Sequence, residues 1–212
     1  MTHIDYTLYL VTDRSVMSAI SLEQAVEQAI QGGCTVVQLR EKYASSREFF
    51  ETAQRVKQIT DSYHIPLIIN DRTDICLAVN AAGIHIGQQD LPAKIVRSMV
   101  GPDKIIGVSA ATLSEAIQAE QDGADYLGVG AMFATSTKTN TRPVTIERLT
   151  QIKQAVQIPV VAIGGIQSSN VTTLTDTGID GIAVVSAILA QENITHAAEQ
   201  LKACFTGAGH EV

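Results

Sequence analysis

The chain has 212 residues, of which 45% are hydrophobic and 17% charged, and its net charge is −7. This composition predicts a folded protein with a sizeable core and excludes a disordered chain. The acidic balance argues against a general binder of nucleic acid or of anionic membranes, because either would need a basic face. The three cysteines are far apart, the first residues lack a signal-peptide pattern, and no apolar run reaches the roughly 18 residues of a membrane helix. We therefore expect a cytoplasmic protein with no membrane and no nucleic-acid partner.

Short apolar runs recur eight times along the chain, and each predicts a β-strand. The predicted strands are Thr7–Thr12, Cys34–Arg40, Pro66–Asn70, Gly83–Gly87, Ile105–Ser109, Tyr126–Gly130, Val160–Gly164 and Ile182–Ser186. Stretches with helical spacing lie between them, among them Ser21–Gln31, Ser46–Ser62, Leu113–Gln121, Ile146–Val156 and Ile194–Cys204. Ser21 and Gln24 resemble a capping box, and Ser46 is predicted to stand before the second helix.

The strands read as continuous apolar runs, which is typical of parallel strands buried on both faces. Strand and helix alternating eight times predicts an α/β fold, a (β/α)8 TIM barrel, with a doubly wound open sheet as the alternative. We find no linker or break in composition. One catalytic domain spanning residues 1–212 is therefore the favoured organisation.

Polar residues gather where the predicted strands end, which is where such barrels carry their active sites. In the second strand, alternation turns Gln38, Arg40 and Lys42 to one side and Leu39 to the other. Two cations and an amide are costly in a dry core, so we expect them at the barrel mouth. Any one polar residue after a strand is more often a solvated loop residue than a functional one.

Asp71 and Asp90 follow the third and fourth predicted strands. Each has an ordinary alternative role as the cap of the helix that comes next. The pair favours a metal instead, because neighbouring strands would bring both carboxylates to the same end of the barrel. Two aspartates suit a Mg²⁺ that retains waters and also binds substrate phosphates.

The segment TSTK, residues 135–138, follows the sixth strand. Its hydroxyls, backbone N–H groups and lysine could wrap an anion such as diphosphate. A flexible, solvated Ser/Thr loop is the more common meaning of this composition alone.

Two further segments, AIGGI (Ala162–Ile166) and AVVSAI (Ala183–Ile188), follow strands seven and eight. The corresponding loops of these barrels frequently bind phosphate through backbone N–H groups and a helix start. Gly165 would permit close approach of the phosphate, and Ser186 would add a hydroxyl. Tight glycine packing at a turn is the alternative, and the two loops together favour the phosphate site.

His85 alternates with Ile84 and Ile86, so it faces the lumen if the isoleucines face the helices. It could orient a ligand, and a hydrogen-bonded core histidine is at least as common. The sequence contains no GxSxG or HExxH motif and no local Cys–His pair of catalytic type.

The chain resembles the thiamin phosphate synthase family in motifs that run across nearly its whole length. They are YLVTDR, QLREK, INDRTD, GIHIGQQDLP, GVS, ADYLGVG followed by TSTK, PVVAIGGI and GIAVVSAI, in this order. The resemblance implies a (β/α)8 barrel that joins hydroxymethylpyrimidine diphosphate to hydroxyethylthiazole phosphate, releasing diphosphate and giving thiamin phosphate. The chain departs from the family at Ala111, where members often carry a histidine, and at Ala131 and Ala134, where prolines are common.

The resemblance also implies a role for individual residues. The catalytic residues would be Arg40, Lys42 and Lys138. The pyrimidine diphosphate would contact the segment Gln38, Leu39, Arg40, Glu41 and Lys42 together with Asn70, Ser109 and Lys138. Asp71 and Asp90 would hold one Mg²⁺ per subunit, and the thiazole phosphate would contact Thr135, Ser136, Thr137, Gly165, Val185 and Ser186. Within the first segment, Glu41 lies on the Leu39 side and is expected to be a structural or ion-pair residue.

The implied mechanism is a dissociative substitution in which positive charge stabilises the departing diphosphate. Three rivals remain: a thiazole tautomerase, a non-catalytic sensor of thiamin precursors, and another phosphate-binding barrel isomerase that would use His85 as its acid or base. The first two would not need the complete set Arg40, Lys42, Asp71, Asp90 and Lys138, so the synthase is preferred. A homo-oligomer is compatible with the sequence.

Overall fold

The structure, a computed structural model, describes residues 4–17, 20–135 and 142–207. Eight parallel strands close into a barrel in which each strand pairs with the next and the eighth pairs with the first. The strands are β1 (Leu8–Val11), β2 (Val36–Leu39), β3 (Leu67–Asn70), β4 (Gly83–Ile86), β5 (Ile105–Ala110), β6 (Tyr126–Val129), β7 (Val160–Ile163) and β8 (Gly181–Val184). The predicted barrel is confirmed, because an open sheet would leave β1 and β8 as separate edges.

Helices surround the barrel. They are α1 (Leu22–Gln31), α2 (Ser46–Ser62), α3 (Thr73–Ala78), α4 (Ala93–Val100), α5 (Leu113–Gln121), α6 (Ile146–Ala155), α7 (Ser186–Leu189) and α8 (Ile194–Thr206). Short 3₁₀ helices follow β1 at Arg14–Val16 and β7 at Val171–Thr177. The five helices named from the sequence agree with the structure to within two residues. In the described part of the chain, no helix has both the length and the apolar character needed to cross a membrane.

The helix starts explain where the chain turns back along the barrel. The predicted capping box of Ser21 and Gln24 is confirmed. The cap of α2 was predicted one residue too late: Ser45 is the cap and Ser46 is the first helical residue. The Ser45 hydroxyl accepts from the Glu48 N–H at 3.3 Å, and Glu48 accepts from the Ser45 N–H at 2.9 Å. The glutamate three residues onward therefore selects Ser45, as the capping box requires.

Alternation along each strand divides the apolar residues into two layers. Leu8 and Leu10 of β1 belong to the larger layer between the strands and the helices, whereas Tyr9 and Val11 belong to the smaller layer inside the barrel. The lumen layer consists of Tyr6, Tyr9, Val11, Val36, Ile68, Tyr126, Val161 and Ala183. Polar side chains at lumen positions near the strand ends consequently lie at the mouth of the barrel.

Candidate active site

The end of β2 carries the segment that the sequence singled out. Gln38 is 4% exposed and lies on the lumen side, where its Nε2 donates to the Tyr9 hydroxyl at 2.9 Å. Leu39 is fully buried in the layer that packs against the helices. The predicted alternation is therefore confirmed for Gln38 and Leu39, and the side chain of Leu39 faces away from the lumen.

Two ion pairs join the end of β1 to the end of β2. Arg40 Nη1 donates to Asp13 Oδ2 at 2.6 Å, and the two side chains are only 17% and 13% exposed. Arg14 Nε donates to Glu41 Oε1, also at 2.6 Å. Glu41 thus takes the ion-pair role expected for it. Asp13 was not predicted to be a site residue, although its place after β1, beside β2, was a usable signal.

Lys42 lies beyond these pairs, on the exposed rim of the mouth. Within the described residues it has no ion pair, and its Nζ lies 5.7 Å from the centre of the Tyr43 ring. Tyr43 itself is 92% exposed. The lysine charge is consequently not neutralised by a carboxylate of the described chain, which suits the capture of an anion.

The ends of β3 and β4 bring the two predicted metal-binding aspartates into neighbouring loops. The strands pair in parallel, with Asn70 opposite His85, and the Asp71 N–H donates to the His85 carbonyl at 2.9 Å. Asp71 has a φ of 60°, an uncommon value for a residue other than glycine. Asp90 follows β4, and its Oδ2 accepts from the Gly87 N–H at 2.7 Å.

Helix capping does not account for this pair of aspartates. The cap positions of α3 and α4 are Arg72 and Pro92, and neither makes a side-chain capping hydrogen bond. Among the residues that the structure describes, no group of three or more His, Cys, Asp or Glu side chains is placed to hold a metal. A Mg²⁺ that keeps several waters and shares substrate phosphates needs only one or two carboxylates, so the donor set fits this ion.

Ser109, near the end of β5, closes a chain of hydrogen bonds across the lumen. Its Oγ lies 2.9 Å from His85 Nε2, and His85 Nδ1 lies 2.9 Å from the Tyr126 hydroxyl. The Tyr126 hydroxyl lies 2.8 Å from that of Tyr9, which in turn contacts Gln38. Burial away from water raises the pKa of both tyrosines, so both hydroxyls keep their protons at neutral pH.

The chain of hydrogen bonds contains two residues that the sequence did not point to. His85 faces the lumen, as its alternation with Ile84 and Ile86 suggested. Tyr9 and Tyr126 were not predicted as site residues. Their only sequence signal is their position on the inward face of β1 and β6, which apolar residues could fill equally well.

The loops after β6 and β7 meet at the other side of the mouth. The N–H groups of Met132 and Phe133 donate to the carbonyls of Ile163 and Gly164 at 3.0 and 2.9 Å. Gly165 has a φ of 64°, and a Cβ there would lie 2.4 Å from the Ala134 carbonyl oxygen. Glycine is required at this position on both counts.

The loop after β6 is described as far as Thr135. The remaining predicted contacts of this loop, Ser136, Thr137 and Lys138, lie outside the described residues. Their assignment stays a prediction.

The ends of β7 and β8 are adjacent, with Ile163 opposite Ala183. Strand β8 ends at Val184, two residues earlier than predicted, and Ser186 begins α7. Within the described part of the chain, neither the Gly165 N–H nor the Ser186 N–H has an acceptor. Two such donors at neighbouring strand ends are suited to phosphate oxygens.

The barrel thus sorts the predicted residues into two groups at one end. Arg40, Lys42, Asn70, Asp71 and Asp90 follow the consecutive strands β2, β3 and β4. Gly165, Val185 and Ser186 follow β7 and β8, and Thr135 follows β6. Ser109 lies on β5 between the groups. Among the described residues, those predicted to bind the diphosphate and those predicted to bind the thiazole phosphate therefore follow different strands at this end of the barrel.

Known proteins resemble this chain over nearly its whole length. The family model of thiamine monophosphate synthase matches residues 8–188. The thiamine-phosphate synthase of Ruminiclostridium cellulolyticum is 61% identical over 202 residues, which cover 95% of this chain and 96% of the relative. That of Clostridium tetani is 58% identical over 203 residues, covering 96% and 97%.

A solved structure, a thiamine phosphate pyrophosphorylase from Pyrococcus furiosus, superposes with a TM-score of 0.89 at 38% identity. The match covers 97% of this chain and 98% of that one. Fold, family model and relatives over nearly the full length all lead to one assignment. The chain belongs to the thiamine monophosphate synthase family and is a transferase.

Proposed function

We propose that the protein couples hydroxymethylpyrimidine diphosphate to hydroxyethylthiazole phosphate, giving thiamin phosphate and diphosphate. The observation that carries this proposal is the placement of the residues predicted to bind anions in two groups at the mouth, after β2–β4 and after β6–β8. A coupling enzyme needs both halves, because each substrate carries its own phosphate group. Holding the two substrates together converts a bimolecular reaction into one between neighbours.

The first half of the mouth would bind the leaving group. As the bond between the pyrimidine methylene carbon and the diphosphate oxygen breaks, its electron pair moves to the diphosphate. Lys42 has no ion pair among the described residues and would meet that growing negative charge directly. Arg40 already donates to Asp13, and its remaining guanidinium N–H groups can donate to phosphate oxygens.

Asp71 and Asp90 would hold Mg²⁺ in this half. When bound, the ion would supply further charge neutralisation at the diphosphate oxygens. The loop of Asp90 is closed by its hydrogen bond from Gly87, which leaves Oδ1 of the same carboxylate for a cation. Asn70, at the end of β3, would supply a neutral polar contact beside them.

Bond formation would require no general base. Once the diphosphate has left, the electron-rich aminopyrimidine would stabilise the cationic methylene carbon, and the lone pair of the thiazole ring nitrogen would capture it. This feature counts against the isomerase alternative, which needs an acid or base at the mouth. His85, the candidate that the sequence offered for this role, has both ring nitrogens hydrogen-bonded, to Tyr126 and to Ser109.

The test is a coupling assay with the purified protein, Mg²⁺ and both substrates, following thiamin phosphate and diphosphate. We expect both products in equal amounts. Binding of both substrates without any product would refute the synthase and favour a sensor. Binding of thiazole phosphate alone would favour a tautomerase.

A second assay separates the two halves of the mouth. Lys138→Ala should reduce coupling far more than it weakens binding of the thiazole phosphate, since Lys138 is assigned to the leaving group. Asp71→Asn and Asp90→Asn should raise the Mg²⁺ concentration needed for half-maximal rate. Equal losses of coupling and thiazole phosphate binding in the lysine variant would contradict its assignment.

A further inference from the structure

The hydrogen bonds that cross the lumen have a direction, which follows from the number of protons each group can donate. Gln38 Nε2 can only donate, so the Tyr9 hydroxyl accepts from it. The single proton of Tyr9 then has one acceptor within the described residues, the hydroxyl oxygen of Tyr126. Tyr9 and Tyr126 are 1% and 0% exposed, so water does not replace a missing partner.

The next two hydrogen bonds, from Tyr126 to His85 and from His85 to Ser109, have a fixed direction as well. Because Tyr126 accepts from Tyr9, its own proton goes to His85 Nδ1. His85 therefore carries its proton on Nε2 and donates it to Ser109 Oγ. Among the described residues, any other order leaves a buried tyrosine proton without an acceptor, which costs about 1–3 kcal/mol.

The two ends of this series of hydrogen bonds then have opposite roles, since among the described residues Ser109 is left with a free donor and Gln38 with a free acceptor. Ser109 accepts from His85, and in the described structure its own proton has no partner, so it remains available as a donor. Gln38 uses an N–H toward Tyr9, and its Oε1 accepts from no described residue. Since no buried side-chain oxygen in the described chain lacks a partner, this Oε1 keeps some exposure and can accept from a ligand.

We propose that Tyr9, Tyr126 and His85 are positioning residues that make Gln38 present an acceptor, and Ser109 a donor, to the pyrimidine substrate. The proposal rests on the proposed function, in which both end residues contact that substrate. The amino group of the pyrimidine is a donor that suits Gln38 Oε1. The Ser109 hydroxyl suits an acceptor atom of the same molecule.

The direction of the hydrogen bonds between Gln38 and Ser109 is tested without any substrate. In ¹⁵N-labelled protein, the ring signals of His85, assigned by their loss in His85→Gln, should show a proton on Nε2 and none on Nδ1. Tyr126→Phe removes the donor to Nδ1 and should shift His85 toward a mixture of tautomers. A proton on Nδ1 in the unmodified protein would overturn the proposal, because every hydrogen bond in the chain would then run the other way.

The consequence for recognition is tested by calorimetric titration with hydroxymethylpyrimidine diphosphate and, separately, with hydroxyethylthiazole phosphate. Tyr126→Phe should weaken binding of the pyrimidine substrate about three- to tenfold, the effect of one neutral hydrogen bond, and leave the thiazole phosphate unaffected. Tyr6→Phe is the matched control, because Tyr6 lies in the same cluster with its ring centre 4.8 Å from that of Tyr126.

The outcomes separate this proposal from the proposed function. Equal affinity of Tyr126→Phe and unmodified protein for the pyrimidine substrate would overturn the positioning role, as would an equal loss for both substrates. Selective weakening in Tyr126→Phe, absent in Tyr6→Phe, would support it even if coupling failed. Failure of the unmodified protein to bind the pyrimidine substrate would overturn both proposals together.

Discussion

Replacing Gly165 by alanine tests whether the close approach of the loops after β6 and β7 shapes the site. Gly165 has a φ of 64°, and Gly178, before β8, has a φ of 75°. Alanine pays a similar backbone penalty at both positions, about 1–2 kcal/mol. The surroundings differ, because a Cβ at Gly178 meets nothing within 4 Å, whereas one at Gly165 lies 2.4 Å from the Ala134 carbonyl oxygen and 2.8 Å from that of Phe133.

The magnitude of the effect follows from this difference. Both clashing atoms belong to the backbone, so no side-chain rotation relieves them, and overpacking of this kind costs about 1–3 kcal/mol. Gly178→Ala should therefore lower the free energy of unfolding by about 1–2 kcal/mol and Gly165→Ala by about 2–5 kcal/mol. The loop shift in Gly165→Ala should also raise the KM for thiazole phosphate about tenfold or more, corresponding to a loss of about 1.4 kcal/mol.

Urea denaturation gives the free energies of unfolding, and steady-state coupling kinetics gives the KM values of both variants. Gly178→Ala should keep the KM of the unmodified enzyme, because Gly178 lies near the opposite end of the barrel. Equal losses of stability in the two variants would refute this prediction. So would normal binding of thiazole phosphate by Gly165→Ala.

Three further predictions concern ion pairs. Asp13→Ala should lower the free energy of unfolding by about 2–3 kcal/mol in urea denaturation, since it leaves the half-buried Arg40 without its carboxylate; an unchanged midpoint would contradict this. Arg97→Lys should lower the free energy of unfolding by about 2 kcal/mol, because a lysine does not reproduce the guanidinium hydrogen bonds to three backbone carbonyls and a carboxylate. Both KM values should stay unchanged. The hydrogen bond from Arg55 lowers the pKa of Glu23, so its stabilisation is complete above the unfolded pKa of about 4.3 and is lost as the pH falls through the lower folded pKa. Glu23→Gln should therefore flatten the acid limb of stability measured between about pH 2 and 6, and an unchanged slope would refute the link.

The barrel was readable from the sequence because parallel strands are buried on both faces. Each strand is then a continuous apolar run, and eight such runs alternating with helical spacing leave few other folds. The boundaries were less well determined. The sequence placed Ser186 in the eighth strand, whereas it begins α7. The end of an apolar strand and the first turn of a short helix have the same composition, so the sequence did not separate them.

The site was readable where chemistry follows directly after a strand. The placement of Asp71 and Asp90 in neighbouring loops followed from the pairing of β3 with β4, which parallel topology supplies, whereas their binding of a metal stays a prediction. The contact between Tyr9 and Tyr126 joins residues 117 positions apart, from strands that do not pair with each other. Which inward-facing groups meet across a lumen depends on strand tilt and side-chain rotamers, and no local pattern in one sequence records either.

The closure of the barrel has a consequence for how the chain folds during synthesis. Strand β1 pairs on one side with β2, which is made soon after it, and on the other with β8, where Leu8 meets Ile182. Until β8 emerges from the ribosome, one edge of β1 carries unpaired backbone groups and its apolar side chains lack part of their cover. We expect the nascent protein to expose an unpaired, aggregation-prone strand edge for most of its synthesis, and to depend on chaperones until β8 has paired with β1.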